Sequence, residues 1–201
     1  MMSTADKALR SRKERLAHGV SDVFNPPAVL GVLLVYLLWR LPGNTHQKVL
    51  WYTTTIMFTL IIPFLLVLWA LKRDILSDKH ITNRNERPIP ILIAASLLIL
   101  LDQGFRVLNA PILLRQAILV SLISLAIIFV ITFFWKVSLH TATLTGALGV
   151  LVLTWSTLWP SFTLLPLVAW ARIQAKAHTP MQTIGGSLVA SIALYLTFHA
   201  Y

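Results

Sequence analysis

The chain has 201 residues, of which 57% are hydrophobic and only 12% charged, and its mean hydropathy is +0.76. This composition is too apolar for a soluble domain and is typical of a multi-span membrane protein, while the absence of cysteine excludes disulfides and thiolate chemistry. The net charge of +10 does not indicate nucleic-acid binding, because the basic residues flank apolar segments, where they set topology and meet anionic headgroups.

Residues 1–26 form a basic tail in which leucine and valine recur at helical spacing between Leu9 and Val23. The pattern predicts an amphipathic helix that lies on the membrane surface and ends at Pro26-Pro27. No small-residue cleavage site follows the first apolar run, so we expect the tail to be retained.

Residues 27–201 are predicted to form one transmembrane domain. Its apolar runs are 27–42, 49–71, 89–104, 113–135, 141–158, 160–171 and 179–199. A spanning helix needs roughly 20 residues, so the first, third and sixth runs are short and are either tilted, re-entrant or wrongly bounded. The predicted fold is an all-α integral membrane protein with six or seven transmembrane helices in one bundle.

Three polar islands interrupt the apolar chain, and each combines cations with histidine or a small hydrogen-bonding group. They are the segments 83–88, 136–140 and 172–182. Charge is costly at membrane depth, so basic groups placed in this way indicate a functional site.

Topology allows the three islands to meet. Two apolar runs separate the first island from the second, and two more separate the second from the third. An even number of crossings returns the chain to the same side. Of the 17 Lys and Arg residues, all but Arg40, Lys48, Arg106 and Arg115 then lie on that side, together with the basic tail. The positive-inside rule therefore predicts that the islands face the cytoplasm.

The islands carry the groups that phosphoryl transfer requires. Arg84, Arg87 and Arg172 supply permanently charged, planar donors that suit phosphate oxygens, and Lys136 adds another cation. Transfer also needs a nucleophile in line with the leaving group and an acid that protonates the departing oxygen.

The second and third islands supply those remaining groups. Ser138 offers a hydroxyl and a backbone amide near the start of a helix, where anions bind well, although it could instead only cap that helix. His140 and His178 are two imidazoles that could divide the work of nucleophile and acid.

The order and spacing of these residues resemble the motifs of the type 2 phosphatidic acid phosphatase (lipid phosphate phosphatase) superfamily. Those motifs run Lys-x6-Arg-Pro, Pro-Ser-Gly-His and Ser-Arg-x5-His-x3-Asp, and the resemblance covers about residues 79–186. The matching residues are Arg87-Pro88 for the first motif, Ser138 and His140 for the second, and Arg172 and His178 for the third.

The resemblance implies a metal-independent phosphatase without a cofactor. It implies that His178 is the nucleophile that forms a phosphohistidine and that His140 is the general acid. It also implies that Arg87, Arg172 and Ser138 hold the phosphate. A rival metal site at Asp74 and Asp78, one helical turn apart, is the weaker interpretation, because an exposed acidic pair usually faces water.

The sequence departs from the motifs at several positions. His80 stands at the register of the first motif's lysine, with Lys79 one position earlier, and both are candidates for phosphate binding. Gln182 stands where the family has the aspartate that orients the nucleophilic histidine. A glutamine oxygen can accept a hydrogen bond from the histidine and fix its tautomer, but it cannot stabilise an imidazolium as a carboxylate would.

We therefore expect a plasma-membrane phosphatase that acts from the cytoplasmic side on a lipid phosphate or a polyprenyl phosphate or diphosphate. Its expected partners are the lipid substrate and the bilayer, with no nucleic acid. One alternative is a catalytically weakened relative that binds phosphorylated lipid or partner proteins, which Gln182 favours. The other is a small anion or lipid transporter, which the placement of polar groups at the ends of runs disfavours.

Overall fold

The computed structural model describes residues 4–75 and 84–199, and every regular element among them is helical. The helices are α1 (Thr4–Val23), α2 (Pro26–Arg40), α3 (Thr45–Ile56), α4 (Ile62–Lys72), α5 (Pro88–Val107), α6 (Ile112–Thr132), α7 (Leu139–Thr154), α8 (Leu164–Gln174) and α9 (Pro180–His199). A π-helical turn joins α3 to α4, so that Thr45–Lys72 runs as one helix, and a 3-10 helix, Ser156–Thr163, precedes α8.

Four helical segments in the described residues are long and apolar enough to cross a membrane: Thr45–Lys72, α5, α6 and α9. The pair formed by Arg12–Val23 and α2 passes the same test together, but it bends by 46° at its break. The described residues are thus all-helical with four or five candidate spans, as is consistent with a membrane protein. The six or seven predicted spans are not confirmed. The difference lies in α2, α7 and α8, which have 15, 16 and 11 residues.

Helix boundaries follow local capping chemistry. Asn25 accepts a hydrogen bond from the amide of Ala28 (2.9 Å), and Pro26-Pro27 begins α2, which confirms the predicted break after the tail. The third apolar run extends beyond its predicted end to give the 20-residue α5. Its predicted length was too short because Asp102 and Arg106 interrupt the apolar pattern, although they pair with each other at 2.8 Å on the surface of the helix.

Helix α1 packs against α8 instead of standing apart from the transmembrane domain. Ala17 and Ser21 are fully buried by this packing, whereas Arg12, Lys13 and Arg15 are exposed. The helix therefore buries its small residues against the bundle and presents basic residues outward. That arrangement is compatible with the predicted position at a membrane surface, which stays a prediction.

Helix α7 lies at the centre of the domain, and most of its residues are buried. Its closest neighbour is α9, which approaches through Gly186. A Cβ atom on Gly186 would overlap the backbone oxygen of Ser138 and lie 2.5 Å from Oγ1 of Thr141. Glycine is therefore required there, because only a bare backbone lets α9 lie against the first turn of α7.

Replacing Gly186 by alanine is expected to destabilise the protein by about 1–3 kcal/mol, because the added methyl group overpacks a rigid backbone contact. The measurement is the thermal unfolding midpoint in detergent. Gly104→Ala is the matched control, since a Cβ atom there meets only Cγ2 of Thr54 at an ordinary 3.6 Å. An equal midpoint for both variants would show that the α7–α9 approach is looser than described.

Candidate functional site

The end of α8 places His178 beside Arg172. Lys176 has φ = 53°, in the left-handed region that reverses a chain after a helix. This turn lets the amides of Ala177 and His178 both donate to the carbonyl oxygen of Arg172, at 3.1 and 3.2 Å. The chain therefore folds back over the last turn of α8 and holds the third island in a fixed shape.

A capping box then begins α9 and orients the His178 ring. The side-chain oxygen Oε1 of Gln182 accepts from the backbone amide of Thr179 (3.2 Å), and the amide of Gln182 donates to Oγ1 of Thr179 (3.3 Å). The same Oε1 lies 3.1 Å from Nδ1 of His178. Because an oxygen that accepts from an amide can only accept from the ring as well, Nδ1 carries the proton and Nε2 holds the lone pair.

The second island is joined to the third through Ser138. The amide of Ser138 donates to the carbonyl oxygen of Gln182 (3.0 Å), and Oγ1 of Thr141 donates to the carbonyl oxygen of Thr183 (2.8 Å). The hydroxyl oxygen of Ser138 caps α7 by accepting from the amide of Thr141 (3.4 Å). The amide of Ser138 is thus engaged by Gln182. The role of Ser138 in phosphate binding stays a prediction.

The first island reaches the second through a buried arginine. Arg87 directly precedes α5, is only 2% exposed, and donates from Nη1 to the carbonyl oxygen of Val137 at 2.9 Å. Arg84 begins the short 3-10 helix Arg84–Glu86, but its side chain lies outside the described part of the structure. The candidates Lys79 and His80 also lie outside the described residues.

The electrostatics at His178 show that the islands converge. Burial is the largest influence and lowers the pKa of His178 from 6.5 to about 3, with further lowering by the positive charges of Arg87, Arg172 and Lys136. The hydrogen bond with Gln182 acts in the opposite direction. Cations from all three islands thus act on one imidazole, which is neutral at physiological pH.

His140 is buried near the start of α7, and its described hydrogen bond runs to helix α1. Its Nε2 lies 3.2 Å from the carbonyl oxygen of Ser21. Because a carbonyl only accepts, Nε2 of His140 carries a hydrogen. The role of His140 as general acid stays a prediction.

Sequence reasoning missed two contributors to this site. The pattern Thr179-x-x-Gln182 is a recognisable capping-box signature and could have been found from the sequence. The contact between Ser21 and His140 joins residues 119 positions apart, so no local sequence pattern predicts it.

No group of three or more His, Asp, Glu or Cys side chains that could hold a metal occurs in residues 4–75 and 84–199. Asp74 follows α4 with φ = 55°, and Asp78 lies outside the described residues. Metal-independent activity stays a prediction.

Comparison of the chain with protein-family models, curated proteins and solved structures found no match.

Replacing Gln182 by glutamate is expected to raise the pKa of His178 from about 3 towards its ordinary value, because a carboxylate stabilises the imidazolium. Glutamate also keeps the capping box with Thr179. If His178 is the nucleophile, as the sequence predicts, its reactive form is the neutral ring, and the variant should lose activity as the pH falls through the raised pKa. The wild type should show no such loss from His178 above about pH 4.

The measurement is the pH profile of kcat/KM, supported by an NMR titration of labelled histidine. Gln182→Leu, which cannot accept from either donor, is the matched comparison and should disturb both α9 and the ring. Profiles that coincide for Gln182→Glu and wild type would mean that the hydrogen bond to His178 is not formed.

Proposed function

We propose that this protein is a metal-independent phosphatase that hydrolyses a lipid-borne phosphate or diphosphate through a phosphohistidine intermediate. The observation that carries the proposal is the chain of hydrogen bonds that joins the three islands around a neutral His178. It runs from Arg87 to Val137, from Ser138 to Gln182, and from Gln182 to His178, whose amide in turn donates to Arg172.

The proposed reaction is an in-line displacement. Nε2 of His178 attacks phosphorus with its lone pair, an N–P bond forms, and the P–O bond to the lipid alcohol breaks. The departing oxygen takes a proton from His140. Water then attacks the phosphorus of the phosphohistidine and returns a proton to His140, and inorganic phosphate leaves as the N–P bond breaks. Gln182 keeps the Nδ1 proton in place, so that Nε2 remains the nucleophile in each cycle.

Burial and charge at the site suit the phosphoryl group. Arg87 and Arg172 are nearly inaccessible, Lys136 is half-buried, and all three act on His178. Cations in a site that excludes water stabilise the charge of the transition state more strongly than cations in solvent. The hydroxyl of Ser138 adds a donor beside them.

The lipid nature of the substrate and the orientation belong to the same proposal. The site lies at the ends of α5, α7, α8 and α9, of which α5 and α9 are candidate spans. A headgroup can enter at this level while its chains remain in the bilayer. With α2, α7 and the segment Ser156–Gln174 counted as tilted crossings, the chain has six or seven spans, and the islands face the cytoplasm at the plasma membrane.

The experiment that tests the proposal measures phosphate release by purified protein in detergent with EDTA present. The substrates are phosphatidate, phosphatidylglycerophosphate and a polyprenyl diphosphate, and His178→Ala is the matched inactive variant. Turnover that the variant loses supports the enzyme. Equal rates for the variant and the wild type, or no turnover on any substrate, would overturn the proposal.

A second candidate is a non-catalytic protein that binds phosphorylated lipid. It is favoured by the engagement of Gln182 in the capping box with Thr179, a structural role that needs no chemistry. This candidate predicts binding of vanadate or phosphatidate without phosphate release, and the same assay with a binding measurement distinguishes the two.

A further inference from the structure

A groove beside the candidate site lies between α8 and α9 and has a volume of about 270 Å³. Thr141 and Thr183 form the end nearest the site, where Thr183 directly follows Gln182. From there the groove follows α9 as far as Ser191, a length of about 12 Å at 1.5 Å per residue. It therefore starts at the phosphate-binding end of the bundle and runs towards membrane depth.

The opposite wall of the groove comes from α8. Ala169 lies three residues before Arg172 in this helix, and Leu165 and Pro166 lie about one turn further from it. The small side chain of Ala169 leaves space that a larger residue would fill. Ile184 and Leu188 of α9 also line the groove and are more than half exposed, so the groove opens sideways along the surface of the bundle.

The hydroxyl groups that line the groove are already hydrogen-bonded within the protein. Thr183 donates to the carbonyl of Pro180 (2.7 Å), Ser191 donates to the carbonyl of Ser187 (3.0 Å), and the hydroxyl of Ser187 bonds that of Thr145 (3.0 Å). Thr141 is used by the carbonyl of Thr183. The groove therefore offers an occupant apolar contact but few unused polar groups, which suits a hydrocarbon chain.

We infer that this groove holds a hydrocarbon chain of the lipid whose phosphate binds at His178. The inference rests on the proposed function for the position of the headgroup. The closeness of groove and site carries it. Thr141 and Thr183, which line the end of the groove and bond each other, directly follow His140 and Gln182 in the chain, and the amide of Thr141 donates to the hydroxyl of Ser138. The depth of the groove then limits the length of the hydrocarbon chain that the protein can hold.

The test fills the groove at two depths. Ala169→Phe blocks it near the site, and Ser191→Phe blocks only its deep end. The expected result is that Ala169→Phe lowers kcat/KM about tenfold for both dihexanoyl and dipalmitoyl phosphatidate. Ser191→Phe should lower it by a similar factor for the dipalmitoyl lipid and leave the dihexanoyl lipid unchanged, because the short chain ends above Ser191.

Matched controls place the same phenylalanine on neighbouring residues that do not line the groove. They are Leu167→Phe on α8 and Ile192→Phe on α9, both of which replace exposed apolar side chains. Neither should change the chain-length preference. A Ser191→Phe variant that keeps the wild-type ratio of kcat/KM for the two lipids, or an Ala169→Phe variant with wild-type kcat/KM for both, would overturn the inference.

A binding experiment separates failure of the groove from failure of the phosphatase. Phosphatidate with a photoreactive group at the end of one acyl chain is cross-linked to wild type and to His178→Ala, and the labelled peptides are mapped by mass spectrometry. Label on α8 and α9 around Leu165 and Leu188 supports the groove even if no lipid is turned over. Turnover with label confined to other helices overturns the groove alone. If the lipid is neither turned over nor cross-linked, both the groove and the phosphatase activity are overturned.

Discussion

Replacing His178 by alanine is expected to abolish phosphate release, with a loss of about 10⁴-fold or more, because the proposed N–P bond forms at this imidazole. The reason is structural as well as chemical. Gln182 holds the ring with its proton on Nδ1, and burial lowers the pKa of His178 to about 3, so that Nε2 keeps its lone pair throughout the physiological range. The measurement is single-turnover phosphate release, combined with acid-labile trapping of radioactive phosphate on the protein.

The matched control for this prediction is His46→Ala, since His46 is exposed near the start of α3. That variant should retain full turnover and the trapped phosphoenzyme. If His178→Ala forms phosphoenzyme as fast as the wild type, the nucleophile is another residue and the mechanism is wrong.

Replacing Arg172 by alanine is expected to lower kcat about 10²- to 10³-fold, the usual effect of losing one preorganised donor to a transition-state charge. Arg172 is 1% exposed, and its positive charge lowers the pKa of His178. Loss of the charge should therefore raise that pKa, which an NMR titration of labelled histidine measures. Together, kcat and the pKa of His178 distinguish a direct role of Arg172 at the site from a general loss of stability.

Arg172→Lys is a control for loss of the fold, because it keeps the positive charge of the side chain and loses only the planar guanidinium with its paired donors. It should keep the low pKa of His178 and recover part of the lost rate. Arg40→Ala, at the exposed end of α2, is the control and should leave both readouts unchanged. An Arg172→Ala variant with wild-type rate and an unaltered His178 pKa would show that this arginine does not act at the site.

Short-range pattern was enough to predict much of the site. The spacing of Arg172, His178 and Gln182 follows from one helix end, one turn and one helix start, so the ring and the glutamine could be expected to meet. The number of spans could not be predicted in the same way. Helices such as α7 are shorter than a spanning helix needs, so length alone does not show whether they cross the membrane. Their burial depends on helices that are distant in the chain.

Residues close together in the chain are enough to predict an apolar, helical protein, because hydrophobicity and helix capping are local properties. The partners of Ser138 and His140 could not be predicted in this way. The amide of Ser138 bonds Gln182 and the imidazole of His140 bonds Ser21, and each partner is distant in the chain. These contacts and the groove between α8 and α9 depend on how closely the helices pack, as Gly186 shows where α9 meets the first turn of α7.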